Sequence, residues 1–296
     1  MIRSTPGQSG SRHGHPSRAG DFRSTLQPDA GSWRHLAAIA AIAVLGIAAY
    51  SNTLSCPFVF DDGPTIEENA FIRLTRLAPS QLRDAAFKSH LSNRPVSNLS
   101  FALNYYFGRY HVAGYHLVNI AVHVVNGILV YLLALATFRQ LRNMDDRRAP
   151  RGDERRIAFL SLVAALVFVA HPLQTQSVTY IVQRMIAMAT MFYLLALLLY
   201  IAGRRRNVPA QRWTLWAAVC ACWILSLGSK ENTVTLPLVV LLYEWCFFQN
   251  LSRVWLKRCA WLALPVLVLL AVLAFVYLSP DPWGLTCPQE LYQSLC

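Results

Sequence analysis

Charge is scarce in this chain: 14% of its 296 residues are Asp, Glu, Lys or Arg, whereas 55% are hydrophobic. Soluble domains average about 25% charged residues, so the shortage excludes an ordinary soluble globular protein. Acids are the scarcer sign, with 15 Asp and Glu against 27 Lys and Arg. The seven cysteines show no metal-ligand spacing, which removes zinc-ribbon and cluster-binding readings. The Arg clusters lack interleaved aromatics and lie at the ends of apolar stretches, so a nucleic-acid partner is not expected. No internal repeat is present either, which leaves solenoids aside.

What is present is a series of long apolar blocks separated by Arg-rich joints. A hydrocarbon core about 30 Å thick needs about 20 helical residues. On that ruler spans are expected at 34–50, 114–138, 157–170, 183–202, 213–228, 234–248 and 260–278. The fold class is therefore an all-α polytopic membrane bundle of about seven spans. With the N-terminus inside, nineteen of the 27 basic residues fall on the cytoplasmic side, as the positive-inside rule requires. The basic excess then reflects topology and attraction to the anionic lipids of the inner leaflet. Residues 1–33, rich in Ser, Gly, Pro and Arg, are expected to be a disordered cytoplasmic tail. The apolar run after them reads as an uncleaved signal anchor, since its polar leader is too long for a signal peptide. Residues 34–278 form the membrane domain and 279–296 a short outer tail. Only Cys56, Cys287 and Cys296 would face an oxidising compartment, and no specific bridge is expected among them.

Three polar islands fall on the outer face: Asp61-Asp62 in the 51–113 loop, His171-Pro172-Leu173-Gln174, and Ser229-Lys230-Glu231-Asn232. A carboxylate pair is suited to general-base work, although Asp-Asp-Gly-Pro is also common turn chemistry. Within the same loop, apolar residues recur at helical spacing over 80–89 and again after Arg94-Pro95, stopping at Gly108. These suit two helices lying in the interface, a platform for the Asp pair or plain interfacial packing. In the second span His116, Asn119, His123 and Asn126 share one helix face. They read either as interhelical hydrogen bonding or as a polar path; a metal held by two His seven apart is disfavoured. The 157–170 stretch is short, which would recess His171 into a cavity. Arg184 is a cation placed to meet a phosphate, or else a snorkelling interface residue.

The ordered motifs Phe58-Val59-Phe60-Asp61-Asp62, Arg94-Pro95-Val96-Ser97, Gly114-Tyr115-His116-Leu117-Val118-Asn119, His171-Pro172-Leu173-Gln174, Gln183-Arg184 and Ser229-Lys230-Glu231 carry a resemblance. Together, over 34–278, the chain resembles the membrane half of the transmembrane and tetratricopeptide-repeat O-mannosyltransferases and their bacterial relatives, polyprenyl-phosphate-sugar-dependent glycosyltransferases of the GT-C fold. The resemblance implies a mannose-like hexose moved from a polyprenyl-phosphate donor to a protein or glycan acceptor hydroxyl on the non-cytoplasmic side. It also implies that the acidic pair is catalytic. Family members continue through further spans and then repeats, so a truncated member is expected. Gln183-Arg184-Met185 favours a bacterial inner membrane over the endoplasmic reticulum.

The chemistry then expected is a single displacement with inversion. Asp61 or Asp62 acts as base, Arg94 and Arg184 hold phosphate, and His116, His171, Gln174, Lys230 and Glu231 line the site. A divalent cation on Asp61 and Asp62 stays open. Two readings of other classes compete: a transporter or flippase using the second-span stripe, and a non-catalytic membrane scaffold.

Overall fold

A computed structural model describes residues 32–144 and 153–257, with single positions at 259, 268, 269, 271 and 272. The expected tail lies outside the described residues except for positions 32 and 33, and so do the outer tail with Cys287 and Cys296 and all but four residues of the seventh span. Among the described residues every regular element is helical and no strand occurs. The all-α class of the sequence reading stands.

Helix α1 covers Ser32–Tyr50, and the 51–113 loop carries α2 at Pro79–Phe87 and α3 at Pro95–Gly108. Both loop helices start on a proline in their first turn, where the missing N–H is not needed. Then follow α4 at Val112–Met144, α5 at Asp153–Ala170, the short α6 at Gln174–Thr179, α7 at Arg184–Arg204, α8 at Pro209–Leu227 and α9 at Leu236–Phe247. Three stretches are long and apolar enough to cross a membrane: Ser32–Ser55, Val112–Met144 and Ile181–Arg204. Helix α5 opens on Asp153, Glu154, Arg155 and Arg156, and α9, with 12 residues, rises only about 18 Å. Among the described residues three of the expected seven spans are thus long and apolar enough to cross, with shorter helices packed beside them.

Helix α4 is the centre, packed against α1, α5 and α7, while α8 packs on α7 and α9 sits against both α4 and α7. Inside lipid, helices gain little by hiding apolar surface from one another, so close packing of small residues and polar contacts must hold them. Both are present. A β-carbon on Gly127 of α4 would lie 2.5 Å from Val169 Cγ2 and 2.9 Å from Ile42 Cγ2, and one on Gly46 of α1 would lie 2.8 Å from Val124 Cγ2. The three helices touch there because two side chains are missing. Ile42, Tyr131, Ala165 and Val169 fill the seam around this contact.

The polar stripe of α4 is the second device, and all four of its residues are buried. His116 Nε2 lies 3.0 Å from the Cys56 carbonyl and His123 Nε2 3.1 Å from that of Val169. The Asn119 amide donates to the carbonyls of Val178 and Ile181, and Asn126 to that of Ala187 at 2.9 Å. Val169 and Val178 sit at the C-terminal ends of α5 and α6, where carbonyls have no helical partner. The stripe therefore ties four chain segments to α4.

At the opposite end, Arg139 and Arg142 of α4 both bond Glu154 of α5. Between α7 and α9 the Arg204 guanidinium grips Glu244 at 2.7 and 2.8 Å, with Tyr200 and Gln249 on the same carboxylate. A buried carboxylate needs such company, since an unpaired charge there would cost several kcal/mol.

Candidate functional site

The Asp pair sits where the chain turns back after α1, and its two members diverge. Phe60 adopts a left-handed backbone, φ 47°, which a bulky side chain avoids unless its surroundings impose it. Its ring packs edge-on against Tyr180, whose hydroxyl accepts a hydrogen bond from the Asp61 amide at 2.9 Å. Beyond this corner, Gly63–Glu67 forms a single π-helical turn.

Asp62 points inward and is fully buried. Its Oδ2 accepts from the Val59 amide at 3.0 Å and its Oδ1 from the Val182 amide at 2.8 Å. Burial pushes this carboxyl above the ordinary aspartate value, against the pull of the two amides, with the charges of Asp61 and Glu67 adding to the rise. Asp61 is exposed and faces a cavity of about 330 Å³. The cavity is lined by Asp61, Pro64 and Thr65 from the turn, His90 and Arg94 from the connection between α2 and α3, Gln183 and Met185 at the start of α7, and Lys230.

Local sequence explains why the cations arrive there. The Val96 amide donates to the Gly228 carbonyl at 2.9 Å and the Ser97 hydroxyl to the Ser229 carbonyl at 3.1 Å. These bonds dock the first turn of α3 onto the loop that follows α8. A β-carbon on Gly228 would meet Val96 Cγ2 at 2.8 Å, so glycine permits the approach. Arg94, the residue before Pro95, is then clamped by Glu231 through Nε at 3.2 Å and Nη2 at 2.8 Å, and its Nη1 touches Met185 Sδ at 3.3 Å. Burial alone would raise the Glu231 carboxyl, but the hydrogen bonds and charge of Arg94, helped by Lys230, hold it below the usual glutamate value. The Lys230 ammonium is pushed below the ordinary lysine value, first by burial and then by the Arg94 charge, with Glu231 opposing. Neither Asp61 nor Lys230 forms an ion pair among the described residues. A carboxylate, an imidazole, a guanidinium and an ammonium thus face one open space.

Among characterised proteins the chain is similar to the protein O-mannosyl-transferase TMTC2 of Mus musculus, 31% identical over 217 residues that make up 70% of this chain. TMTC2 of Homo sapiens is 30% identical over the same length, and Tmtc3 of Drosophila melanogaster 29% over 229 residues. The chain belongs to this family. It spans 24% of the length of each of these relatives. No family model and no solved structure matches it.

The structure gathers some of the expected residues and separates others. Asp61, Arg94 and Lys230 share the cavity, and Glu231 reaches it through Arg94. Asp62 does not line the cavity, and each of its oxygens accepts from a backbone amide. No group of three or more His, Cys, Asp or Glu among the described residues is placed to hold a metal ion.

Arg184 does not reach the cavity. It is fully buried, giving Nε to Asn119 Oδ1 at 2.7 Å, Nη2 to the Tyr115 carbonyl at 2.9 Å and Nη1 to Ser100 Oγ at 3.2 Å, with the rings of Phe101 and Tyr115 against it. The expected phosphate ligand is instead a pillar joining α3, α4 and α7. His116 is buried on the Cys56 carbonyl and is likewise structural. His171 is exposed, its Nδ1 accepting from the Leu173 amide at 3.2 Å, so it caps a turn after α5 and is not recessed. Gln174 belongs to the same turn, its amide on the His171 carbonyl. Neither lines the cavity. Sequence reasoning missed His90, which stands alone between two apolar helical pieces. Its signal was position, four residues before Arg94 on the connection that brings Arg94 to the site. Gln183, quoted above with Arg184 but not assigned to the site, does line the cavity.

Proposed function

We propose that this chain supplies the donor-phosphate and acceptor site of a hexosyltransferase, moving a mannose-like sugar from a polyprenyl phosphate to an acceptor hydroxyl. Its relatives are named protein O-mannosyl-transferases, and a protein hydroxyl is the acceptor class this favours. The observation that carries the reading is one exposed carboxylate, Asp61, facing Arg94, Lys230 and His90 across a single cavity.

A sugar on a lipid phosphate is already activated. The site must take a proton from the acceptor, present its oxygen to the anomeric carbon, and stabilise the phosphate that leaves. Asp61 takes the hydroxyl proton as general base. The acceptor oxygen forms its bond to the anomeric carbon as the bond from that carbon to the phosphate oxygen breaks, and the electron pair leaves with polyprenyl phosphate. Arg94, pre-oriented by Glu231, gives forked hydrogen bonds to the phosphate oxygens. Lys230 adds a charge whose attraction strengthens as negative charge grows on the leaving group. The distribution of basic residues supports a non-cytoplasmic site.

The transporter reading draws on the α4 stripe, and the hydrogen bonds of that stripe to backbone carbonyls favour a structural role. The test is transfer of labelled mannose from polyprenyl-phosphate mannose into protein. It uses membranes containing a full-length relative with Asp61→Asn introduced at the matching position. Transfer falls by two to four orders of magnitude, as loss of a general base predicts; undiminished transfer sinks the assignment.

A further inference from the structure

Far from this cavity, where α1 begins and α5 begins, lies a second hollow of about 350 Å³. Its lining is Trp33, Arg34 and Ala38 from α1, Tyr131 from α4, and Arg155, Ala158, Phe159 and Leu162 from α5. The side chains are sorted along its length. Arg34 and Arg155 stand at one end, in the opening turns of their helices, with Trp33 beside Arg34 and the Arg34 guanidinium 5.6 Å from the centre of the indole. Ala38, Ala158, Phe159 and Leu162 follow toward the middle of the bundle. The buried Tyr131, whose hydroxyl lies 2.6 Å from His35 Nδ1, forms the floor.

Seven helical residues separate Arg155 from Leu162, a run of roughly 10 Å. That length takes the first several methylenes of an acyl chain below a headgroup held by the two arginines. Trp is the side chain favoured at this depth, where hydrocarbon meets headgroups. Neither Arg34 nor Arg155 forms an ion pair among the described residues, whereas Arg139 and Arg142 nearby share Glu154. Trp33 and Phe159 are 58% and 63% exposed, so the walls of the groove are open to lipid. Paired cations above an apolar slot match a single anionic head on a hydrocarbon tail.

We propose that this groove is a binding site for an anionic glycerophospholipid, held by Arg34 and Arg155 with one acyl chain along Ala158, Phe159 and Leu162. It lies at the other end of α1 from the Asp61 turn, and so in the leaflet opposite the cavity. The inference is independent of the transferase reading and depends only on the geometry of α1, α4 and α5.

The experiment is native mass spectrometry of the whole chain released from nanodiscs containing equal amounts of phosphatidylglycerol and phosphatidylcholine. The wild-type chain retains phosphatidylglycerol in preference. In Arg34→Gln/Arg155→Gln the preference falls roughly thirtyfold, at about fivefold per juxtamembrane cation. Leu162→Trp fills the slot and reduces retention with both charges in place. Thermal melting of each variant confirms that it is folded; a variant melting well below wild type is replaced by Arg34→Lys/Arg155→Lys, which keeps the preference if the site reads charge. Equal retention of the two lipids by the wild-type chain, preference unchanged in the glutamine variant, or displacement of the lipid by inorganic phosphate alone would each overturn the proposal.

Discussion

Asp61 and Asp62 are neighbours of the same residue type, yet their roles separate cleanly by perturbation. Replacing Asp62 by Ala leaves the Val59 and Val182 amides without the acceptors they hold at 3.0 and 2.8 Å. Each stranded buried donor costs about 1–3 kcal/mol, so Asp62→Ala loses about 2–6 kcal/mol. Asp62→Asn keeps one acceptor oxygen and turns an amide NH2 toward the other N–H, so one donor is lost and the cost is about 1–3 kcal/mol. Asp61 is exposed and its carboxylate has no cationic partner among the described residues. Asp61→Asn therefore changes stability by no more than about 0.5 kcal/mol, the usual range for surface changes. The assay is thermal melting of the detergent-solubilised chain, paired with hydrogen exchange of peptides carrying Val59 and Val182. Melting falls in the order wild type, Asp62→Asn, Asp62→Ala, and exchange at both amides accelerates in that order. If Asp61→Asn melts as low as Asp62→Asn, or if both Asp62 variants melt like wild type, the division of labour between the two acids is wrong.

Other consequences follow from single contacts. The Lys230 ammonium sits below the ordinary lysine value because it is buried and beside Arg94; it loses its charge on raising the pH sooner than a free lysine, and the alkaline limb of transfer follows it. Lys230→Arg keeps the charge and moves that limb to higher pH, which a pH profile of transfer in a full-length relative detects. Arg184→Lys cannot serve the three acceptors that Arg184 Nε, Nη1 and Nη2 reach separately; with one or two of them stranded the loss is about 1–6 kcal/mol, read as a lower melting temperature. Gly127→Ala places a methyl 2.5 Å from Val169 Cγ2, an overpacking that costs about 1–3 kcal/mol, whereas Ala at Gly108, which has open space around it, is tolerated; melting of the pair checks both.

The helices were legible because apolar runs of the required length have few alternatives, and the two loop helices because their apolar residues recur at helical spacing and each begins at a proline. Span count was less legible. Hydropathy reads α8 and α9 as crossings, but it does not see that Pro237 and the 3₁₀ turn at Glu231–Thr235 leave α9 only 12 residues. The cavity was half legible. Arg94, Lys230 and Asp61 were found because charges are rare here and each breaks an apolar pattern. Arg184 breaks the pattern equally, and nothing local distinguishes a cation that opens to a ligand from one enclosed by Phe101, Tyr115 and Asn119. That distinction depends on rotations of α3 and α4 that only tertiary packing sets. His171 misled for a related reason: a short helix was taken to recess its end, when the chain instead turns on the surface through the Leu173 amide.

The hydrogen bonds of the α4 stripe to backbone carbonyls favour a site at the bundle mouth over a path through it, although His116 Nδ1 and Asn126 Oδ1 are buried there without a partner among the described residues. A hydrophilic route across the bilayer needs groups free to bind and release a solute at successive depths. Here Asn119, His123 and Asn126 each give a side-chain nitrogen to a backbone carbonyl, and the buried cation Arg184 is held on three acceptors. Removing any of these bonds to bind a solute would strand a buried carbonyl or charge, which the low dielectric makes costly. At the mouth Asp61 and Lys230 have no ion-pair partner among the described residues, beside a cavity large enough for a phosphate and part of a sugar. Binding a phosphate there satisfies a cation that burial has already made easier to deprotonate. The polar residues in the middle of the bundle therefore act on the site at a distance, fixing the helices that carry it.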